Sequence, residues 1–339
     1  MSEYSFVERP FLQQLLSLGW HVIDQGEAPV HYPEASMRST FRDWIIRDEV
    51  LRQIQKINLT EDGFEWVSDK QAQDVLGELL NLPFTSLLEA NKHIFHKLVD
   101  DYPKTDRNEL TGEEYPNIKL IDFDHLERNS FIAINQFRID TPGMLKGSVR
   151  PDIVLFVNGF PVVVVECKDA NEFTSNPLHE AYIQIQRYSN QREDTHEAGL
   201  REGEERLFHW NQINIITTGE EAKLGTITST EKYYYHWKDI FPEKFKTYDP
   251  PLGTARPQEN LIQGVLSPEI LLDLIRHFVL FAPLPEGGEV KVIARYQQYR
   301  AGGKIVDRLL TGKTPLERSG VVWHTQGSGK SFSMVFYVG

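Results

Sequence analysis

At 339 residues, with 40% hydrophobic and 25% charged residues, the chain has the length of roughly two ordinary globular domains. No apolar run approaches the ~20 residues that span a bilayer, and residues 1–20 lack the basic start and apolar core of a secretory leader, so a cytoplasmic protein with no membrane partner is expected. The lone Cys167 excludes an internal disulfide framework and a cysteine-based zinc site; the net charge of −13 leaves DNA handling only to a local basic groove, a bound cation or a partner subunit.

In chain order, a first helix is expected over Pro10–Leu18, stopped by Gly19. Ser5-Phe-Val-Glu8 has the form of a capping box, but a cap at Ser5 would place Pro10 at the fifth helical position, where proline is disfavoured. Helical spacing returns over Thr40–Ile57, after Ser68 with its Gln71 partner, and over Ser86–Val99. The polar stretch Asp100–Pro116 reads as an exposed loop. Ile118–Phe123 and Phe131–Ile139 read as strands. Asn176-Pro177 then caps a helix running to about Asn190. Gln191–Arg206 carries mixed charge and reads as a solvated face or loop, Ile213–Thr218 as a buried strand, and Asp249–Pro257 as a connection. Ser267-Pro268-Glu269 opens an apolar helix ending near Ala282-Pro283. Pro285–Gly288 forms a turn, another helix spans Ala294–Leu309, and Gly320–His324 is a short buried strand leading into Gly327-Ser-Gly-Lys-Ser331.

The most informative stretch is Arg150–Lys168. Two apolar β-branched runs flank Asn158-Gly159, a strong hairpin signal, and charges stand only at their ends: Asp152, Glu166 and Lys168. Carboxylates at the ends of buried strands cost free energy unless paired or bound to a cation, and carboxylate oxygens are natural Mg²⁺ ligands. Cys167, between Glu166 and Lys168, points into the core on the opposite face. A strict two-residue loop would pair Asp152 with Val165 and send Asp152 and Glu166 to opposite faces. A shared site therefore requires an odd-length loop or a bulge, for instance a type I turn with Gly159 left-handed.

Pro-Asp, thirteen residues, then Glu-x-Lys resembles the signature of the PD-(D/E)xK nucleases. Gln184 and Tyr188, at i and i+4 on one helix face, resemble the pair found in members fused to helicase-like motors. The resemblance implies catalytic roles for Asp152, Glu166, Lys168, Gln184 and Tyr188, with Mg²⁺ on Asp152 and Glu166. It implies that Glu8 is the acidic residue of an early helix that completes metal or water coordination. Arg138, Lys146, Arg150 and Lys168 are the candidate local basic groups.

Val321-Val-Trp-His-Thr325-Gln326-Gly327-Ser328-Gly329-Lys330-Ser331 has the order strand, glycine loop, helix start. Backbone N–H groups of such a loop cradle phosphates, Lys330 reaches the β/γ-phosphates and the Ser331 hydroxyl holds Mg²⁺. Upstream, Arg295-Tyr-Gln-Gln298-Tyr resembles the adenine-reading segment of superfamily 2 helicases, with Gln298 as the reader and Gln297 as its rival. No acidic box follows the loop, so the sequence reads as the front part of a longer protein that does not hydrolyse ATP by itself.

Both motifs on one chain resemble the R subunit of type I restriction enzymes. The likeness extends to Leu18-Gly19-Trp20, Leu120-Ile-Asp-Phe123 with Asn129, and Asn135-Gln-Phe137. It implies an α/β fold: a PD-(D/E)xK nuclease-like mixed sheet flanked by helices over residues 1–260, then the beginning of a RecA-like P-loop motor over 261–339. It further implies a type I site-specific deoxyribonuclease that cuts double-stranded DNA after ATP-driven translocation, using Mg²⁺ and ATP, in complex with methyltransferase (M) and specificity (S) subunits. The alternative is a helicase or translocase subunit whose nuclease-like domain serves only assembly or DNA binding.

Overall fold

The computed structural model describes residues 2–170, 175–238, 240, 257–323 and 329–338. Its centre is a six-stranded mixed sheet. In chain order the strands are β1 (His21–Ile23), β2 (Phe131–Asn135), the small pair β3 (Ile139–Asp140) and β4 (Ser148–Val149), β5 (Ile153–Val157), β6 (Phe160–Cys167), β7 (Ile213–Thr217) and β8 (Ala222–Gly225). The sheet order is β1-β2-β5-β6-β7-β8, parallel at β1/β2 and β6/β7 and antiparallel elsewhere; β3 and β4 pair apart from it. Strands β5, β6 and β7 are buried along their whole length, which explains their near-continuous apolar runs.

Helices cover both faces. Helix α1 (Arg9–Ser17), α2 (Arg47–Ile57), α3 (Asp69–Leu80) and α4 (Leu87–Val99) contribute to one core with Val163, Val165 and Cys167. Helix α5 (Pro177–Tyr188), beyond which lie the short α6 (Glu193–Glu197) and α7 (Glu205–Trp210), packs with α7 on the other face against Val154, Phe156 and Val164. The expected caps form: Ser68 and Gln71 make a reciprocal box, and the Asn176 side chain accepts from the His179 N–H.

The β5–β6 hairpin carries the predicted parity change, but in a different place. Asn158 and Gly159 form a two-residue turn with both φ positive, 51° and 83°, and Val157 pairs directly with Phe160. This left-handed pair matches the twist of the flanking strands, as a type I turn would not. The register shifts further along: Phe156 faces Pro161 while Leu155 faces Val163, so Val162 has no ladder partner. Pro161 lacks an N–H for the ladder, and inside a central strand proline is tolerated at such a bulge. Beyond it Ile153 faces Val165, and Asp152 and Glu166 come to the same face as α5.

Other expectations are corrected. Ile118–Phe123 is not a strand, although Ile118, Leu120 and Ile121 are fully buried. Side-chain amides replace the ladder there: Asn58 with both backbone groups of Lys119, Asn129 with both of Asp122, and Asn158 with the Leu120 carbonyl. The Thr40–Ile57 helix starts only at Arg47. Helix α8 (Pro257–Val265) precedes α9 (Pro268–His277), and α9 stops before a hairpin of β9 (Val279–Pro283) and β10 (Glu289–Ile293), so Phe278–Pro283 is not helical. Gly320–Trp323 is not a strand: Val321 and Trp323 are 87% and 90% exposed, and among the described residues no neighbouring strand pairs with them. Helix α10 (Tyr296–Thr311) forms as expected, and α11 (Lys330–Val338) closes the chain. Most of Asp249–Pro257 and His324 lie outside the described residues.

Residues 261–294 do not stand apart from the nuclease-like sheet. Leu261, Ile262, Val265, Ile270 and Ile293 share its first core, and the Trp20 indole donates to the Leu266 carbonyl at 2.8 Å. The buried Lys291 ammonium donates to Asn91 Oδ1, Gln212 Oε1 and the Asn211 carbonyl at 2.7, 2.6 and 3.1 Å. No helix among the described residues is long and apolar enough to cross a membrane.

The Asn158-Gly159 turn is clamped from outside: Gly159 accepts from the Ile46 N–H, and an added Cβ would stand 2.7 Å from the Ile46 carbonyl oxygen. Gly159→Ala is expected to destabilise the fold by about 2–4 kcal/mol, combining left-handed strain with a backbone clash. Urea unfolding checks this; a loss under ~0.5 kcal/mol would contradict the clamp.

Candidate active site

Three local features of the backbone bring the site together. The first is the Val162 bulge, which aligns Asp152 with Glu166. Asp152 Oδ2 accepts from the Cys167 N–H at 2.7 Å, tying the hairpin ends together. The second is the end of β2. Gln136 adopts φ 51°, an uncommon conformation for a non-glycine residue, while its N–H donates to the Asp152 carbonyl at 2.7 Å. Its side-chain amide then donates to both Glu8 oxygens, at 2.9 and 3.0 Å, and Asn135 adds a contact of 3.4 Å.

The third is the N-terminal helix. Pro10 has no N–H for the carbonyl four residues back, and Tyr4–Glu8 is wound as a π-helical turn, with the Arg9 N–H reaching Tyr4 O. In such a turn residues five apart lie above one another, so Glu3 and Glu8 share a face. No capping box forms at Ser5.

The result is a cleft of about 700 Å³ whose floor holds Glu3, Glu8, Asp152, Glu166 and Lys168. Gln184 and Tyr188 line it from α5. Arg138, Lys146 and Arg150 line it too, so with Lys168 the four candidate basic groups do gather at one place on an acidic chain, and Arg187 joins them. Lys168 Nζ lies 2.8 Å from Glu166 Oε1, 3.8 Å from Asp152 Oδ2 and 3.7 Å from Glu3 Oε1, and also donates to the Cys167 carbonyl. The Tyr188 hydroxyl donates to the Arg150 carbonyl at 3.0 Å and sits 3.5 Å from Glu166 Oε1. Gln184 Oε1 accepts from Arg187 at 2.6 Å.

Burial pushes the Asp152 carboxyl up, and the Lys168 charge opposes it. Burial and the Asp152 charge push Glu166 well above the usual carboxylate range. Burial, then the charge of Asp152, brings Glu8 up to about 7. Burial works against the Lys168 ammonium, yet Glu166, Asp152 and Glu3 hold it protonated beyond its ordinary value. Cys167 is buried on the opposite face, and its thiol is likewise raised by burial.

The donor set fits a hard divalent cation. Glu166 Oε2 is buried with no hydrogen-bond donor among the described residues, a costly state for a carboxylate oxygen. One oxygen from each of Glu3, Glu8 and Asp152 lies within 4.8 Å of the others. All are carboxylates, with neither thiolate nor imidazole lining the cleft, which suits Mg²⁺ or Mn²⁺ over softer metals.

The residues expected to form a phosphate loop lie elsewhere. Thr325, Gln326, Gly327 and Ser328 fall outside the described residues. Gly329 has φ 78°, and Lys330 and Ser331 open α11. Gln298 Oε1 accepts from the Arg295 N–H at 2.7 Å, and its Nε2 donates to the Gly329 carbonyl at 3.1 Å, so its amide joins the segment before α10 to the loop. Gln297 lines a separate cleft beside Trp323 and Arg300.

Glu3, Asn135 and Gln136 join the site without a role that the sequence motifs assign. Pro10 was the one available signal for Glu3, because only a π-turn aligns residues five apart. For Gln136 the signal was a polar Asn-Gln pair ending an apolar strand.

The family model of the type I restriction enzyme R protein N terminus matches residues 1–233, and that of the SWI2/SNF2 ATPase matches residues 297–339. The endonuclease subunit of the type I restriction enzyme HindI from Haemophilus influenzae is 34% identical over 342 residues, covering 98% of this chain and 29% of that protein. The putative type I restriction enzyme MjaIXP endonuclease subunit of Methanocaldococcus jannaschii is 26% identical, covering 99% of this chain and 31% of its own length. The chain thus spans under a third of these relatives.

A carboxyl raised in the fold binds its proton more tightly there than in the unfolded chain. Its contribution is fully present below the unfolded value, near 4.5, and is lost as pH rises through the folded value. Unfolding free energy of the cation-free chain is therefore expected to fall between about pH 4.5 and 7, with Glu8→Gln flattening part of that slope. Urea titrations with a chelator present check this; an unchanged slope in the variant would contradict it.

Proposed function

The chain belongs to the type I restriction enzyme R proteins through their N-terminal domain, and from that premise we propose that its cleft cuts double-stranded DNA. The observation that carries the reading is the convergence of Asp152, Glu166 and Lys168 on one face of the hairpin, a convergence that depends on the Val162 bulge. Asp152, Glu166 and Glu8 would hold Mg²⁺. When bound, the ion polarises the scissile phosphate and favours hydroxide at neutral pH.

This chain's residues supply the rest. Arg138, Lys146 and Arg150 receive the phosphate backbone at the cleft, so non-specific affinity falls with added salt. Lys168, held protonated by its carboxylate neighbours, keeps positive charge beside the scissile phosphate as negative charge builds on its oxygens. The Glu8 carboxylate, oriented by Gln136 and Asn135, is also placed to accept a proton from the attacking water. The water oxygen bonds to phosphorus as the bond to one sugar oxygen breaks, and that oxygen takes a proton from solvent water as it leaves. Tyr188 and Gln184 act by position: Tyr188 fixes the Arg150 carbonyl beneath the cleft, and Gln184 orients Arg187.

We further place the boundary between nuclease and motor near Ala294 and not at residue 260. The matching of the ATPase family only from residue 297 supports this. In the complete protein, Thr325–Ser331 would bind ATP phosphates, with Ser331 on Mg²⁺ and Gln298 joining the adenine-side segment to the loop. ATP-driven translocation, and assembly with M and S subunits that recognise the target, belong to the same reading.

In the reconstituted complete enzyme, Asp152→Ala is expected to reduce cutting of a supercoiled plasmid at least 100-fold while ATP hydrolysis persists. Lys330→Ala is expected to abolish translocation measured by triplex displacement. Undiminished cutting by the first variant, or normal translocation by the second, would remove the corresponding assignment.

A further inference from the structure

Beyond its acidic floor, the wall of the cleft continues into the β3–β4 hairpin. Ile139 and Val149, the paired base of that hairpin, are buried in the second core, while Lys146 and Ser148 line the cleft. The local sequence shapes the tip. Thr141-Pro142-Gly143-Met144 has proline second and glycine third, the pattern of a type II turn. Gly143 has φ 87°, and the Met144 N–H donates to the Thr141 carbonyl at 3.2 Å. Thr141 then clasps the returning arm: its N–H donates to the Gly147 carbonyl at 2.9 Å, and its hydroxyl donates to the Lys146 carbonyl at 2.7 Å.

This ordered tip presents Leu145 to solvent, 55% exposed. The Leu145 N–H donates to the Arg201 carbonyl at 2.9 Å, so the exposed Leu200 and Arg201 stand beside it. A lone surface leucine is ordinary. Leu145 differs in being held on a clasped hairpin, with a second exposed leucine next to it and two cations, Lys146 and Arg201, adjoining. That combination suits a partner with apolar surface between anionic edges, which is the make-up of a DNA groove: phosphates along both sides, sugars and base edges within. The reach agrees. Leu145 precedes Asp152 by seven residues, so their α-carbons are no more than about 25 Å apart, within one duplex turn of about 34 Å.

We propose that the tip of the β3–β4 hairpin enters the minor groove of the duplex beside the scissile phosphate, with Leu145 as an apolar wedge against sugars and base edges and Lys146 on a phosphate. The major groove is the poorer match, because its donor and acceptor pattern needs polar side chains to read it. The Thr141 hydroxyl is occupied by the Lys146 carbonyl, and Pro142, Gly143 and Met144 offer no such side chain. Apolar wedges in the minor groove part a base step and bend the duplex. Leu145 is thus a positioning residue. The proposal rests on the reading of the cleft as a DNA-cutting site and adds the element that sets the duplex against it.

The test is binding of the whole chain, at low salt and without divalent ions, to a short A·T-rich duplex carrying 2-aminopurine, whose fluorescence rises on unstacking. Circular dichroism confirms that each variant is folded. The wild type is expected to raise the fluorescence, and a minor-groove-binding polyamide to compete with it. Leu145→Ser should lose the rise and bind about tenfold more weakly, the effect of returning one leucine to water, while Leu145→Met keeps both. Lys146→Ala should keep the rise and lower the salt slope by about 1. In the reconstituted complete enzyme, Leu145→Ser should slow plasmid cutting with ATP hydrolysis unchanged. No DNA binding by the wild type, binding without a fluorescence rise, or binding that Leu145→Ser leaves unchanged would overturn the proposal. So would a Leu145→Ser variant that loses assembly with partner subunits but keeps its DNA affinity, since the tip would then be a protein contact. A complete enzyme that fails to cut, while duplex binding still depends on Leu145, would remove the nuclease reading and leave the groove contact standing.

Discussion

Pro161 interrupts the hydrogen-bonding ladder near the start of the fully buried strand β6, and the candidate site depends on that interruption. A β-strand alternates faces with strict period two, so an unbroken hairpin joined by a two-residue turn would separate Asp152 from Glu166 across the sheet. Because proline cannot donate, the strand accommodates it by leaving Val162 unpaired, and one residue of slip changes the parity of all that follows. The core records the change directly. Val162 and Val163, adjacent in sequence, both pack on the same side, after which Val164 and Val165 alternate normally. A backbone defect in β6 thus places two carboxylates on the face of α5, where Tyr188 and Gln184 meet them.

The electrostatics follow from that placement. Strand ends buried between helical layers offer little water, so Asp152 and Glu166 are strongly desolvated and compete for one lysine. The fold offsets part of this with oriented donors: the Cys167 N–H on Asp152, Gln136 on Glu8 and the Asp169 N–H on Glu3. Gln136 pays for its position with a left-handed backbone, a kind of strain that gathers at functional sites. What remains uncompensated, above all Glu166 Oε2, is what a cation would satisfy. The acidity of the whole chain is compatible with contact to DNA because Arg138, Lys146, Arg150, Arg187 and Lys168 line this cleft together.

Much of this was legible in the sequence, and the failures share a physical cause. The hairpin, the need for a parity change and the outward direction of Glu166 from Cys167 followed from period-two alternation alone. The position of the bulge did not, because Asn158-Gly159 is the conspicuous turn signal while the missing donor of Pro161 is what displaces the register. Ile118–Phe123 has a strand's apolar pattern, yet Asn58, Asn129 and Asn158 satisfy its backbone from side chains, and no local pattern reveals partners so distant in sequence. Val321 and Trp323 likewise carry strand propensity with no ladder beside them among the described residues. Glu3 was hidden because the expected helix begins only at Pro10, whereas the chain is already wound in a π-helical turn over Tyr4–Glu8. The burial of Lys291 has no local signal either, because only the tertiary fold brings Asn91 and Gln212 to its amine.

The central claim is geometric: a bulge at Val162 places Asp152 and Glu166 oxygens on one divalent cation. Crystals of the chain soaked in MnCl₂, with anomalous diffraction collected at the manganese edge, test it most directly. The account expects an anomalous peak contacting both carboxylates, with Val162 unpaired in the strand beneath. Manganese bound to neither residue, or β5 and β6 paired without a bulge so that the two carboxylates lie on opposite faces, would contradict it.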